Sequence, residues 1–243
     1  MSVSGRLYGI GLGPGDPELL TVKAVRLLKS CSVVAYFCKS GRRGNARAIA
    51  DRWIPETCEE LPLGYPLTTE VPFDSPEYVS ALSGFYEEAR AKLAERLRNG
   101  QDVALLAEGD PLFYGSFMHL FIRLKNEFDT EIVPGVTGMA GCAAAAGAPM
   151  TWGDDILSVL PGTLPYEALV ERLQKTDAAV VMKLGKNFRK VRRAFAETGR
   201  LERAIYVERG AMPDQKIIPL AEKVGDDAPY FSLILMPGQG RRP

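Results

Sequence analysis

The sequence contains one histidine, His119, and four cysteines, Cys31, Cys38, Cys58 and Cys142, in 243 residues. No CxxC pair or other metal-ligand spacing is formed, so no protein-built zinc or haem site is expected. Net charge is absent too: thirty Lys and Arg offset thirty Asp and Glu. Without a basic footprint, nucleic acid is not the expected partner. No stretch of about 18 apolar residues occurs, so no membrane span is expected. Met1 to Leu7 lacks the apolar core of a secretion signal, and the thiols read as reduced and cytoplasmic. There is no sequence repeat and no low-complexity tract. What remains is the composition of an ordinary globular protein, 46% hydrophobic and 25% charged, in one large domain or two smaller ones.

Apolar runs alternate with helical patterns along the chain. Arg6 to Leu12 reads as a strand. Glu18 to Ser30 places Leu19, Leu20, Val22, Val25, Leu27 and Leu28 on one helix face, with Asp16 as its cap. A strand over 32–37 and a short helix over 45–53 follow. Residues 55–77 carry several prolines and glycines and read as a surface excursion. Its Leu61, Leu63, Tyr65, Leu67, Val71 and Phe73 are apolar enough to cover a partner copy. A long helix over 78–98 stops at Asn99-Gly100, and then come strand 102–107, helix 116–125 and strand 130–133. The Ala-rich segment 136–146 reads as a helix that packs very closely. The break at 148–153 sets the expected boundary, giving domains 1–148 and 149–243. The second half gives strands over 156–160, 178–182, 203–208, 215–220 and 231–236, with helices over 166–174 and 188–197. Strands alternating with helices imply an α/β class with mainly parallel, covered sheets.

Three strand-end turns are rich in small residues, and ligands of open α/β sheets sit outside such strand ends. The first is Gly9-Ile-Gly11-Leu-Gly13-Pro14-Gly15-Asp16. It is a poor dinucleotide fingerprint, because Pro14 stands where the third glycine belongs, and no Walker lysine follows. A stiff loop at a helix N-terminus remains, suited to an anion or to a neutral ligand that needs close backbone approach. The second turn, Glu108-Gly109-Asp110-Pro111-Leu112-Phe113-Tyr114-Gly115, offers an acceptor and a fixed bend, although Gly and Pro also serve turn geometry alone. In the third, Val133-Pro134-Gly135-Val136-Thr137-Gly138, Thr137 supplies a hydroxyl that also suits a plain helix cap.

Taken together, GxGPGDPELLT at 9–21, EGDPLFYG at 108–115 and EIVPGVTG at 131–138 resemble the tetrapyrrole (corrin/porphyrin) methylases, over essentially the whole chain. Ser32 to Tyr36, Gly44 to Ala50, Tyr65 to Thr68 and Val159 to Thr163 resemble one branch, the precorrin-2 C(20)-methyltransferases. Gly162 departs mildly from that branch. The resemblance implies two αβα domains with mainly parallel mixed sheets and S-adenosyl-L-methionine in the cleft between them. It also implies a homodimer. By the family pattern, Pro14, Glu108, Gly109, Asp110, Phe113, Tyr114, Thr137 and Gly138 bind the cofactor. Met182, Gly210, Ala211 and Ser232 complete its pocket, and Lys183 places a charge near substrate.

The resemblance further implies methylation of precorrin-2 at C-20 in cobalamin biosynthesis, with S-adenosyl-L-homocysteine released. Such direct transfer needs no covalent protein nucleophile. Proton loss needs only a modest base. Asp16, Glu108 and Asp110 are the candidates, with Asp16 and Asp110 taken as catalytic. The substrate's carboxylate arms would pair with Arg42, Arg43 and Arg47, beside Lys39, unless these form a solvated basic loop. His119 in Phe117-Met-His-Leu-Phe121 reads as structural, not as a metal ligand. Alternatives are C-20 methylation of cobalt-factor II, methylation of an RNA ribose or a protein side chain on the same fold, and a cofactor-binding module without catalysis.

Overall fold

The computed structural model describes residues 4–39, 42–66 and 75–240. The chain divides into two compact units, Met1–Thr137 and Gly138–Pro243.

In the first unit the strands are β1 (Leu7–Gly11), β2 (Val33–Lys39), β3 (Glu59–Tyr65), β4 (Val103–Ala107) and β5 (Thr130–Val133). They form one sheet in the order β3-β2-β4-β1-β5, with every pairing parallel. The helices are α1 (Val22–Ser30), α2 (Asn45–Ile49), α3 (Pro76–Arg98) and α4 (Phe117–Leu124). β4 is buried throughout, which is why it reads as a continuous apolar run. Alternate residues of β4 feed two cores. Val103 and Leu105 join Leu93 and Leu97 of α3 and Leu120 of α4. Ala104 and Leu106 join Leu27 and Leu28 of α1 and Ile49 of α2.

Two local expectations are corrected. α1 begins at Val22 rather than Glu18, because the Thr21 hydroxyl accepts from the Ala24 N–H. Asp16 instead caps a separate single turn over Pro17–Leu19, where its carboxylate accepts from the Glu18 N–H. The supposed excursion at 55–77 contains β3, in full parallel register with β2. Leu61 and Leu63 are buried in the chain's own core, while Pro62 and Gly64 face out. β3 is an edge strand, the one place in a sheet where proline is tolerated. Leu67, Val71 and Phe73 lie outside the described residues.

The second unit holds α5 (Gly138–Ala145), β6 (Leu157–Pro161), α6 (Tyr166–Gln174), β7 (Ala178–Met182), α7 (Phe188–Glu197), β8 (Ile205–Glu208), β9 (Lys216–Pro219) and β10 (Ser232–Met236). Its sheet runs β6-β7-β10-β8-β9. β6 and β7 are parallel, and β10 is antiparallel to both β7 and β8. One face packs on α6 and α7 through Leu169, Leu173, Val191 and Phe195. The other face buries Cys142 and Ala143 of α5 against Val180, Val207, Leu233 and Leu235. The Ala-rich helix therefore serves the second sheet, and the division between units falls before it rather than at 148.

Candidate active site

Because the first sheet is wholly parallel, the carboxyl ends of β4, β1 and β5 lie side by side at one edge. The three glycine-rich turns follow those ends, and they interlock. Gly13 and Gly109 exchange backbone hydrogen bonds, Gly13 N–H to Gly109 C=O at 3.2 Å and Gly109 N–H to Gly13 C=O at 2.8 Å. A Cβ on Gly135 would lie 2.1 Å from the Gly109 carbonyl oxygen, and one on Gly11 would lie 2.5 Å from the Gly135 nitrogen. Asp110 ties two turns with one side chain. Its Oδ1 accepts from the Leu112 N–H at 2.9 Å, and its Oδ2 accepts from the Gly135 N–H at 3.1 Å.

Around this knot stand the other candidate residues. Pro14, Asp16, Glu108, Gly109, Asp110 and Phe113 are half-buried, and Tyr114 is exposed. Asp16 spends Oδ1 on the Glu18 N–H at 2.8 Å. Glu108 accepts from the Asn45 side chain and the Ala46 backbone N–H, and so caps α2, whose own N-cap Gly44 has no side chain to do it. Burial raises the Glu108 carboxyl above its ordinary range, and those two hydrogen bonds partly offset the rise. The Phe113 and Tyr114 rings meet edge to face at 4.8 Å. A methyl group on Gly138 would meet nothing within 4 Å among the described residues.

In the second unit, the candidate residues also share one edge. Met182 ends β7, and Gly210 and Ala211 follow the end of β8. Ser232 opens β10, the strand between them, in register with Glu208. Gly210 has no room for a side chain, since a Cβ would lie 2.5 Å from the Cys142 sulfur. Gly162 is tight rather than closed: a Cβ there would sit 3.0 Å from the Lys183 carbonyl oxygen. The Ser232 hydroxyl donates to the Pro229 carbonyl at 2.6 Å.

Backbone strain is concentrated at these edges. Among the described residues, the non-glycine residues in the left-handed region are Tyr114 (φ 54°), Lys183 (57°), Arg209 (52°) and Ala211 (63°). Tyr114 lies in the turn after β4, Lys183 follows β7, and Arg209 and Ala211 follow β8. Such conformations cost about 1–3 kcal/mol each and cluster where a ligand is held.

The basic group divides. Arg47 is buried, and it donates to Asp51 at 2.8 Å and to Glu60 at 2.5 Å. Arg43 pairs with the same Asp51 at 2.5 Å. Both carboxyls are held below their usual range, chiefly by hydrogen bonds from Arg47. Arg42 is exposed and stands just after β2. Glu60 was not anticipated from sequence, because it sits on the unrecognised β3; Asp51 was within reach of the pattern, since it stands four residues after Arg47 in the expected helix over 45–53. His119 stacks on Tyr86 at 4.5 Å, and among the described residues no cluster of metal-ligating side chains forms. No helix among the described residues is long and apolar enough to cross a membrane.

Comparison with known proteins adds family evidence to this geometry. The family profile described as Tetrapyrrole (Corrin/Porphyrin) Methylases matches residues 6–224. A precorrin-2 C(20)-methyltransferase from Sinorhizobium sp is 53% identical over 239 residues, covering 98% of both chains. A cobalt-precorrin-2 C(20)-methyltransferase from Salmonella typhimurium is 30% identical, covering 96% of this chain and 97% of that one. Among solved structures, a uroporphyrin-III C-methyltransferase from Thermus thermophilus, complexed with S-adenosylhomocysteine, superposes with a TM-score of 0.67. It is 27% identical and covers 95% of this chain and 97% of that one.

Proposed function

The chain belongs to the tetrapyrrole (corrin/porphyrin) methylases, and from that membership we propose that it methylates precorrin-2 at C-20, with S-adenosylmethionine as methyl donor. The products are precorrin-3A and S-adenosylhomocysteine, on the route to cobalamin. One observation carries the choice of branch: 53% identity to a precorrin-2 C(20)-methyltransferase over 98% of both lengths. The metal-free substrate is favoured over the cobalt-loaded one, because the relative named for cobalt-precorrin-2 is only 30% identical.

The residues at the first unit's strand edge suit the donor. When bound, S-adenosylmethionine supplies a methyl group on positively charged sulfur. The Glu108 and Asp110 carboxyls and the Phe113 and Tyr114 rings are the groups that favour a nearby cation. A cation beside Glu108 would also offset the burial that now holds its carboxyl up. Pro14, Gly109 and Thr137 offer backbone and small side chains for close approach; in the second unit Gly138, Met182, Gly210, Ala211 and Ser232 are the cofactor-binding candidates that the family pattern gives. The protein's task is orientation, holding a ring carbon in line with the methyl group at about 3 Å. The substrate's own conjugation makes its meso carbon nucleophilic.

Proton removal from C-20 falls to Asp16 or Asp110. Asp16 has the freer carboxylate, with Oδ2 uncommitted among the described residues, while both Asp110 oxygens already accept backbone N–H groups. Substrate carboxylates pair with exposed Arg42, and with Arg43 and Arg47, which both also pair with Asp51. The enzyme works in the cytoplasm as a homodimer. Light scattering that gives 26.6 kDa at every concentration would remove the dimer. The test of function is incubation with precorrin-2 and methyl-labelled donor, followed by NMR of the product, in parallel with the cobalt-loaded substrate. Label at C-20 is expected. Label on a peripheral pyrrole carbon would remove the branch assignment, and faster turnover of the cobalt form would reverse the choice of substrate.

A further inference from the structure

Ser116 is the N-cap of α4, yet its hydroxyl caps nothing in that helix. A serine at this position ordinarily spends its oxygen on the N–H two or three residues on, a contact worth about 1 kcal/mol. Here Ser116 already has helical backbone angles, and its Oγ instead accepts from the Tyr65 hydroxyl at 2.5 Å. Tyr65 is the last residue of β3, two strands away from β4, so the bond reaches past β2 at the carboxyl edge of the sheet. The ring is set for that reach. It stacks on Phe37 at 5.6 Å with planes 18° apart, and it meets Phe85 at 4.8 Å.

Ser116 closes the turn that begins at Glu108. Within this turn Tyr114 is left-handed, and the near end is fixed by Asp110 and by the Gly13–Gly109 pair. The far end gives up its ordinary cap and is fixed by Tyr65. We infer that Tyr65 is a positioning residue for the cofactor: through Ser116 it holds the strained Phe113–Tyr114 segment in its binding shape. The inference rests on the assignment of that turn to S-adenosylmethionine and its product.

Tyr65→Phe keeps the ring stack and removes only the hydroxyl, and Ser116→Ala removes the acceptor. Calorimetric titration of the full chain with S-adenosylhomocysteine tests the pair, with melting temperatures measured alongside. Each single variant is expected to bind about three- to tenfold more weakly, the range of one hydrogen bond. The double variant should bind no more weakly than the weaker single, because one interaction has been removed twice. Tyr166→Phe, which loses a hydroxyl contact to Glu197 in the second unit, should bind as wild type. A lowered melting temperature with wild-type affinity in Tyr65→Phe would make the bond a strut only and overturn the inference. Additive losses in the double variant would overturn it as well. If Tyr65→Phe does not fold, wild-type affinity in Ser116→Ala has the same force. Failure of the wild type to bind removes the cofactor assignment itself, and the control titration tells the two failures apart.

Discussion

Replacing Gly135 by alanine puts a methyl carbon 2.1 Å from the Gly109 carbonyl oxygen and 2.9 Å from two Gly11 backbone atoms. All three neighbours are backbone, so no side chain can swing away. Relief needs a shift of about 1 Å between adjacent strand-end turns, in a region packed as densely as a crystal. That shift pulls the Gly135 N–H off Asp110 Oδ2, now at 3.1 Å. Overpacking alone costs about 1–3 kcal/mol. A weakened hydrogen bond to a charged group adds about 1.5 kcal/mol. We expect a loss of about 2.5–4.5 kcal/mol, or roughly 5–18 °C in melting temperature at about 2–4 °C per kcal/mol. Thermal unfolding by circular dichroism measures it. Gly84→Ala is the control: Gly84 is exposed in α3 and its Cβ would meet nothing within 4 Å among the described residues. That change should raise stability by about 0.5–1 kcal/mol. A Gly135→Ala melting temperature within about 1 °C of wild type would refute the interlocked-turn account.

Gly138→Ala should melt no lower than wild type, because among the described residues nothing lies within 4 Å of the added carbon, yet bind S-adenosylhomocysteine more weakly if the ligand fills that space; unchanged affinity in calorimetry removes Gly138 from the site. Glu108 binds its proton more tightly folded than unfolded, so it withdraws stability as pH rises from its ordinary value of 4.5 through the raised value. Glu108→Gln should therefore gain stability relative to wild type across that interval, and a pH-independent difference in melting temperature would contradict the sign. Arg47→Met should lower the melting temperature at neutral pH, since Glu60 and Asp51, both depressed by Arg47, contribute stability above the ordinary carboxylate range that is lost as pH falls through their lowered values. Arg42→Ala should instead leave stability alone and raise the tetrapyrrole KM about two- to fivefold, the range of an exposed ion pair; equal KM effects at both positions would mean that Arg47 is not committed to its own carboxylates.

Most helices and strands were legible because burial follows period. β4 is apolar at every position and buried at every position, and the α6 and β7 bounds read from the pattern are those observed. β3 was not legible, because Pro62 and Gly64 read as turn residues and only the edge position makes them compatible with a strand. That miss hid Tyr65 and Glu60, and with them the anchor of Ser116 and the partner of Arg47. The cap of α1 was misread because Asp16 and Thr21 both suit a cap, and choosing between them requires knowing that Leu20 has extended backbone. The second unit's ligand candidates came from resemblance. Their common edge depends on β10 inserting antiparallel between β7 and β8, a pairing that no local pattern announces.

The glycine-rich turns do two jobs with the same residue type, and geometry separates them. Gly11 and Gly135 are glycine because backbone presses on backbone, and a side chain there is excluded whether or not a ligand exists. Gly109 sits at φ 65°, where a β-branched residue is strained before any ligand arrives. Loss of binding in Gly109→Val therefore cannot by itself locate the cofactor. Gly138 is different, since among the described residues nothing lies within 4 Å of the side chain it lacks. The positions to test for function in these motifs are those where local packing does not by itself dictate the residue: Gly138, left-handed Tyr114 and the non-capping Ser116. Substitution at such positions separates affinity from stability, whereas substitution at the interlocked glycines moves both together.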